Sequence, residues 1–383
     1  MRPALAARLA RQKDQRIAAD AQRRREALEP VDAVSVLRDE KRLVNFSGND
    51  YLGLGAHPEV ADAVAGAARK RVGAGASALV SGYAPVHREL EASLADWLGF
   101  EAAIVVGSGY QANLALGQAL MGRGDKLLAD RLNHASLNDG ARLAGARLIR
   151  YRHIDAEDAE RRIEAKARWI ATDGVFSMDG DLTPLPGLVR MADEHDLGLW
   201  LDDAHGIGVL GEYGRGILEH FSVDAGKIDA FVVTFGKSLG TQGAAILGGH
   251  ALIDALVNRA RGIIYSTAMA PPLAVATSRA LAVLQDESWR RSKLAENISR
   301  FRQRAEPLTL SKSQTPIQPI VIGDNARALK ISESLAERGF LVRAIRPPTV
   351  PEGTARLRVT LSAAHQPEHI DRLVDALLDC MAY

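Results

Sequence analysis

The sequence is short of cysteine, of unbroken apolar stretches and of any surplus of charge, and each shortage removes a class of function. Cys380 is the only cysteine among 383 residues, which excludes an intramolecular disulfide and leaves a cysteine-based metal cluster without ligands. A reducing, cytoplasmic setting is expected, with no metal. No run of about eighteen apolar residues is present, so no membrane span is expected, and the start lacks the charged-then-apolar layout of a secretory signal. The 48 Lys and Arg residues are offset by 47 Asp and Glu, for a formal charge of +1. No global field therefore favours nucleic acid or a membrane surface, and a small molecule is the expected partner. Residues 1–29 are rich in Ala and Arg, as a transit peptide is, but Asp14, Asp20, Glu26 and Glu29 do not suit that acid-poor class. An amphipathic N-terminal helix is expected instead.

What is present is length and a regular alternation. A chain of 383 residues exceeds what one hydrophobic core organises, so a large domain with a smaller companion is expected. From residue 100 to residue 250, short apolar runs alternate with helical patterns, as in a doubly wound α/β sheet. Seven strands are predicted: Ala102–Val106, Lys126–Ala129, Arg147–Tyr151, Arg168–Thr172, Gly198–Leu201, Ala230–Thr234 and Ala244–Leu247. The runs are too apolar to alternate, which suits strands buried on both faces. Tyr110–Met121 and Leu188–His195 between them have helical spacing. After Ala270-Pro271-Pro272 a long helix is expected to reach Arg304. Strand Gln318–Ile322, helix Ala326–Arg338, strands Phe340–Ile345 and Arg356–Leu361 and helix Ile370–Met381 then read as a small α/β domain. The resulting partition is an N-terminal helix and extension at 1–48, a large domain at 49–284 and a small C-terminal domain at 285–383. There is no internal repeat, and the run Arg346-Pro347-Pro348-Thr349-Val350-Pro351-Glu352-Gly353 marks a stiff exposed loop.

In open α/β sheets, ligands lie beyond the carboxyl ends of the strands, so the polar residues at the end of each strand carry the functional information. Gly107-Ser108-Gly109-Tyr110 opens a helix whose bare N–H groups and dipole suit a phosphate, although such turns are common in purely structural roles. Asn133-His134-Ala135-Ser136 comes after the second strand, and Asp173-Gly174-Val175-Phe176-Ser177-Met178-Asp179-Gly180-Asp181 after the fourth; alone they read as a cap and a tight turn. The fifth strand runs into Asp202-Asp203-Ala204-His205-Gly206. An acid there can hold a ring nitrogen protonated, and a histidine three residues on can reach a phenolic oxygen, while one of the two aspartates only caps the turn. The sixth strand ends in Thr234-Phe235-Gly236-Lys237-Ser238-Leu239-Gly240, a lysine leaving a buried strand among glycines. Desolvation and a nearby cation make such a lysine a Schiff-base nucleophile, whereas on an ordinary loop it would be a surface charge. Taken in chain order, these parts are what a pyridoxal phosphate (PLP) site requires.

At Thr234-Phe235-Gly236-Lys237, read with Asp202-Asp203-Ala204-His205-Gly206, the sequence resembles the α-oxoamine synthases among the fold-type I PLP enzymes. The resemblance runs from the Arg-rich start through Asn45-Phe46-Ser47-Gly48-Asn49-Asp50-Tyr51-Leu52-Gly53-Leu54 to the C-terminal domain. It implies a mostly parallel seven-stranded large domain, a small C-terminal α/β domain and an N-terminal helical segment. By position it implies Lys237, His134, Asp202 and His205 as catalytic residues: Lys237 holding the cofactor, Asp202 pairing with its ring nitrogen, His134 stacking on the ring, and His205 with Ser177 at the phenolic oxygen. Gly109, Tyr110 and Thr234 would bind the phosphate, aided by Ser266 or Thr267 of a second subunit, which implies a homodimer. Arg23, Asn49, His134, Thr349 and Arg358 would contact substrates, the planar fork of Arg358 suiting a carboxylate. The runs Gly174–Asp181 and Ile345–Pro351 look most like the member that condenses L-alanine with a pimeloyl thioester, on coenzyme A or a carrier protein. Sister members using glycine share the cofactor residues, and a binding protein of this fold would keep the topology without the chemistry. The chain departs from the family pattern at Gly75–Tyr83, which lacks a usual histidine, and at Ser238, where glycine is commoner; both bear on the acyl channel.

Overall fold

The computed structural model describes residues 1–163 and 167–382. They form two compact units, one of Asn49–Ser177 with Asp181–Lys293, the other of Met1–Gly48, Met178–Gly180 and Leu294–Tyr383.

The larger unit is built on seven strands: β1 Ala102–Val106, β2 Lys126–Asp130, β3 Arg147–Tyr151, β4 Ala167–Asp173, β5 Gly198–Asp202, β6 Ala230–Thr234 and β7 Ala244–Gly248. Their order across the sheet is β1-β7-β6-β5-β4-β2-β3. Neighbours from β6 to β3 are parallel, and β7 is antiparallel to both β6 and β1. The reason lies in the connection. A parallel return needs a crossover of a dozen or more residues, and only the short loop Phe235–Gly243 joins β6 to β7. Every residue of β6 and β7 is buried, which explains their unbroken apolar character.

Two helices on the sheet, α1 Gly109–Leu120 and α2 Ala135–Leu143, carry polar residues toward the strand ends. Ser108 caps α1, its Oγ accepting from the Gln111 N–H at 3.2 Å. The helices cross so closely that a Cβ on Gly117 would stand 2.2 Å from the Gly140 carbonyl, and one on Gly140 would stand 2.4 Å from the Asn113 carbonyl oxygen. Only glycine fits at either position, and this contact sets where α1 delivers its polar residues.

The smaller unit holds a four-stranded sheet ordered Glu29–Pro30, Ser35–Arg38, Lys41–Asn45, Phe340–Leu341, and a three-stranded one with Ala355–Thr360 between Ile317–Gly323 and Ala344–Ile345. Its last helix, Pro367–Met381, carries Cys380.

Three expectations need correction. The N-terminal helix covers only Pro3–Ala18: Ala19 leaves helical geometry and Asp20 takes a left-handed φ of 49°, which stops the helix short of residue 29. The long helix after Pro272 is two, Pro271–Asp286 and Trp289–Arg304, and Arg290 folds back on Glu287 at 2.6 Å across the break. The run Phe340–Ile345 is not one strand: Phe340–Leu341 pairs parallel with Val44–Asn45, whereas Ala344–Ile345 pairs antiparallel with Arg356–Leu357. Continuous apolar character hides a change of sheet at Val342–Arg343. Among the described residues, no helix is long and apolar enough to cross a membrane.

Candidate active site

The carboxyl end of β5 is the floor of the site. Asp202, its last residue, is buried and accepts the Ala204 N–H on Oδ1 at 3.0 Å and the Asn113 amide on Oδ2 at 2.6 Å. Asn113 is oriented from behind, since its carbonyl oxygen accepts the Trp200 indole N–H at 3.1 Å and so turns the NH2 toward the acid. The same NH2 donates to Ser136 Oγ at 2.8 Å, and that hydroxyl lies 2.7 Å from His134 Nδ1. A buried network of this kind holds its members only if all are satisfied, and these are. The Gly117–Gly140 crossing is what lets α1 and α2 supply Asn113 and Ser136 to it.

His134 is exposed, yet the protein around its ring desolvates it and holds its pKa below the usual imidazole range, with the charge of Asp202 pulling the other way. Its backbone N–H donates to Asp173 Oδ2 at 2.6 Å. Burial, together with the charge of Asp202 on the adjoining strand, pushes Asp173 well above the carboxylate range.

The end of β6 brings the amine. Lys237 Nζ lies 2.8 Å from His205 Nε2, and His205 Nδ1 lies 2.6 Å from the phenol oxygen of Tyr51. Ser238 is fully buried and donates to the Ile207 carbonyl at 2.5 Å, fastening the lysine loop to the Asp203–Gly208 turn. Asp203 is the turn-forming member of the aspartate pair. Its Oδ2 accepts the Ile217 N–H at 2.8 Å, and burial raises its pKa well above the usual range.

Gly109 and Tyr110 begin α1, where first-turn amides lack partners within the helix. A Cβ on Gly109 would sit 3.7 Å from the Thr234 Cβ, so the turn and the end of β6 face each other. Thr234 donates its hydroxyl to the Gly243 carbonyl at 3.1 Å, keeping lone pairs free of that bond. Tyr110 is exposed, stands edge-on to His134 at 6.1 Å and bonds Asp139 through its hydroxyl.

Ser177 is half-buried on the loop after β4. That loop is anchored by His153, whose ring nitrogens lie 3.0 Å from Asp130 and 2.9 Å from Asp181, with Phe176 edge-on at 4.4 Å. Ser266 and Thr267 line a cavity of about 290 Å3 with Ala78, Leu79, Tyr83 and Gly107. In the smaller unit, Arg23 donates to Thr349 Oγ1 at 3.0 Å, and Arg358 is buried on the strand Ala355–Thr360.

Sequence reasoning missed the roles of Asn113, Ser136, Asp173, His153 and Tyr51. A polar residue among the apolar positions of a helix signals Asn113, and Ser136, Asp173 and Tyr51 lie within runs already singled out; nothing local signals His153.

The family model for class I and II aminotransferases matches residues 41–377. The 8-amino-7-oxononanoate synthase of Methylococcus capsulatus is 51% identical over 370 residues, covering 95% of this chain and 96% of that one. Among solved structures, a variant of serine palmitoyltransferase from S. paucimobilis with a bound PLP–myriocin aldimine matches with a TM-score of 0.91 and 26% identity, over 98% of each chain. The 8-amino-7-oxononanoate synthase from Francisella tularensis matches with a TM-score of 0.79 and 28% identity, over 89% of this chain and 98% of that one.

Proposed function

Since the chain belongs to the class I and II aminotransferase family and, within it, to the 8-amino-7-oxononanoate synthases, we propose that it condenses L-alanine with a pimeloyl thioester to give 8-amino-7-oxononanoate, carbon dioxide and free thiol. This is a PLP-dependent acyl transfer of biotin biosynthesis, on a fold-type I framework. The observation that carries the reading is Lys237 Nζ held 2.8 Å from His205 Nε2 at a strand end adjoining that of buried Asp202.

The residues fit the cofactor chemically. An amine for an aldehyde, an acid for a ring nitrogen, a neutral, exposed imidazole and a glycine cradle facing Thr234 are the donor set PLP requires. When bound, the cofactor supplies an electron sink for the substrate α-carbon. The chain supplies everything else. Lys237 would hold the cofactor through Nζ, and the same amine would take the α-proton of alanine. Asp202, oriented by Asn113, would keep the ring nitrogen protonated. His134 would lie against the ring, and His205 and Ser177 would address the phenolic oxygen. Gly109 and Tyr110 would offer amides to the phosphate beside Thr234, with Ser266 or Thr267 of a second subunit completing it in a homodimer. Arg358, Asn49, Arg23 and Thr349 receive the substrates, positioning being a large part of the rate. The protein acts in the cytoplasm on substrates carried by coenzyme A or a carrier protein, without nucleic acid, membrane or metal.

The test is product mass. PLP-loaded protein given L-alanine and pimeloyl-CoA should release free thiol together with a product of the mass of 8-amino-7-oxononanoate. Thiol release with glycine alone among the amino acids would move the chain to a sister activity.

A further inference from the structure

Tyr51 is 1% exposed and has none of the roles assigned above. Its phenol oxygen lies 2.6 Å from His205 Nδ1 and 3.2 Å from Asn49 Oδ1, while the other ring nitrogen of His205 faces Lys237 Nζ at 2.8 Å. Donor and acceptor capacity gives this line of groups a direction. An amide oxygen only accepts, so the hydroxyl that bonds Asn49 donates to it. The phenol oxygen is then the acceptor for Nδ1–H. A neutral imidazole carries one N–H, which leaves Nε2 bare, and Nε2 accepts from the lysine, which as an ammonium only donates.

We propose that Tyr51 is a positioning residue that holds His205 as the Nδ1-protonated tautomer, so that Nε2 serves as the proton acceptor for Lys237 when that amine is made ready for an aldehyde. The step balances. One Nζ–H bond breaks and one Nε2–H bond forms, the ammonium becomes a neutral amine, the imidazole becomes an imidazolium, and the summed charge is unchanged. Throughout, Tyr51 holds the Nδ1 proton and keeps the ring plane aimed at the lysine. With phenylalanine at position 51, Nδ1–H would face a ring edge that accepts nothing. The Nδ1–H form then loses its acceptor, the share of His205 protonated on Nε2 rises, and the acceptor facing Lys237 is present less of the time.

This inference rests on Lys237 being the cofactor-binding amine, and its test is arranged so that the two fail separately. Histidine-selective nitrogen-15 NMR of the cofactor-free native protein should show His205 protonated at Nδ1 and bare at Nε2, and Tyr51→Phe should shift the ring toward protonation at Nε2. Mixing PLP with cofactor-free protein then reads the consequence. At about pH 7 the lysine-bound absorbance band should form at least about tenfold more slowly in Tyr51→Phe than in the native protein. At about pH 10 the gap should close, because the lysine loses its proton unaided. A residue that merely shaped the pocket would slow both by the same factor. A native His205 protonated at Nε2, or a Tyr51→Phe variant with unchanged tautomer and unchanged rates, overturns the inference. If the variant does not fold, the native tautomer decides alone. A native protein that never develops the band removes the premise about Lys237 while the tautomer measurement still stands.

Discussion

In the larger unit His153 stands between two carboxylates, Nδ1 3.0 Å from Asp130 and Nε2 2.9 Å from Asp181. In the smaller unit His365 accepts the Ser362 N–H on Nδ1 at 2.9 Å, gives its own proton to the Asn45 carbonyl at 3.2 Å and stacks on Phe46 at 4.0 Å. Burial works against the charged form of both. At His153 the hydrogen bonds to Asp130 and Asp181 outweigh it and lift the pKa to about 9, while at His365 burial prevails and lowers it to about 3. The difference teaches that the atoms at the two ring nitrogens, together with depth, decide whether an imidazole carries charge here. The larger unit arranges charged and neutral polar groups at the carboxyl ends of its strands; the smaller one neutralises its imidazole into a core. His205, between a phenol and an amine, is a third case, and there the partners set a tautomer.

The contrast breaks most completely if the polar groups at the larger unit's strand ends do no chemistry. Lys237→Ala should lose at least about 1,000-fold in turnover, about 4 kcal/mol of barrier, with its melting transition kept. Near-normal turnover in a steady-state assay would contradict the assignment. Next in size is the loss of His153. His153→Gln leaves Asp130 and Asp181 without their shared cation and should cost about 3 kcal/mol in urea unfolding. His365→Leu removes a neutral group but strands the Ser362 N–H and the Asn45 carbonyl, for about 2 kcal/mol.

Titration sharpens the contrast because the two signs are opposite. The folded pKa of His153 lies above the unfolded value of 6.5, so its contribution is complete below that pH and is lost as pH rises through about 9. Allowing for solvent screening, about 2 kcal/mol is at stake. The folded pKa of His365 lies below 6.5, so its contribution is complete above that pH and is lost as pH falls toward about 3. His153→Gln should therefore flatten the alkaline limb of the stability curve and His365→Leu the acid limb; flattening of the same limb by both would undo the comparison. Smallest of all, Lys227→Ala should leave the unfolding midpoint unchanged, since its pair with Asp193 at 2.9 Å is about half exposed at both ends.

The seven strands of the large sheet were legible because strands buried on both faces are runs of apolar residues bounded by polar ends, and Lys237, Asp202 and His205 were legible because they stand at those ends. Asn113 and Ser136 carried local signals, but their meeting at Asp202 was not legible, because it depends on the Gly117–Gly140 crossing, a contact between helices that no local pattern announces. Tyr51 lies 154 positions from the histidine it bonds. The change of sheet inside Phe340–Ile345 escaped notice for a related reason: Phe340, Leu341 and Val342 are all buried, and burial alone does not tell which neighbour a strand pairs with. In each case the missing information was pairing between distant segments, which composition and period do not carry.

The most direct measurement is to load the protein with PLP, reduce it with borohydride, digest it and find which peptide carries the phosphopyridoxyl mass. The account predicts a single modified peptide with the adduct on Lys237. An adduct on any other lysine, or none on a protein that turns over alanine and pimeloyl-CoA, would contradict it.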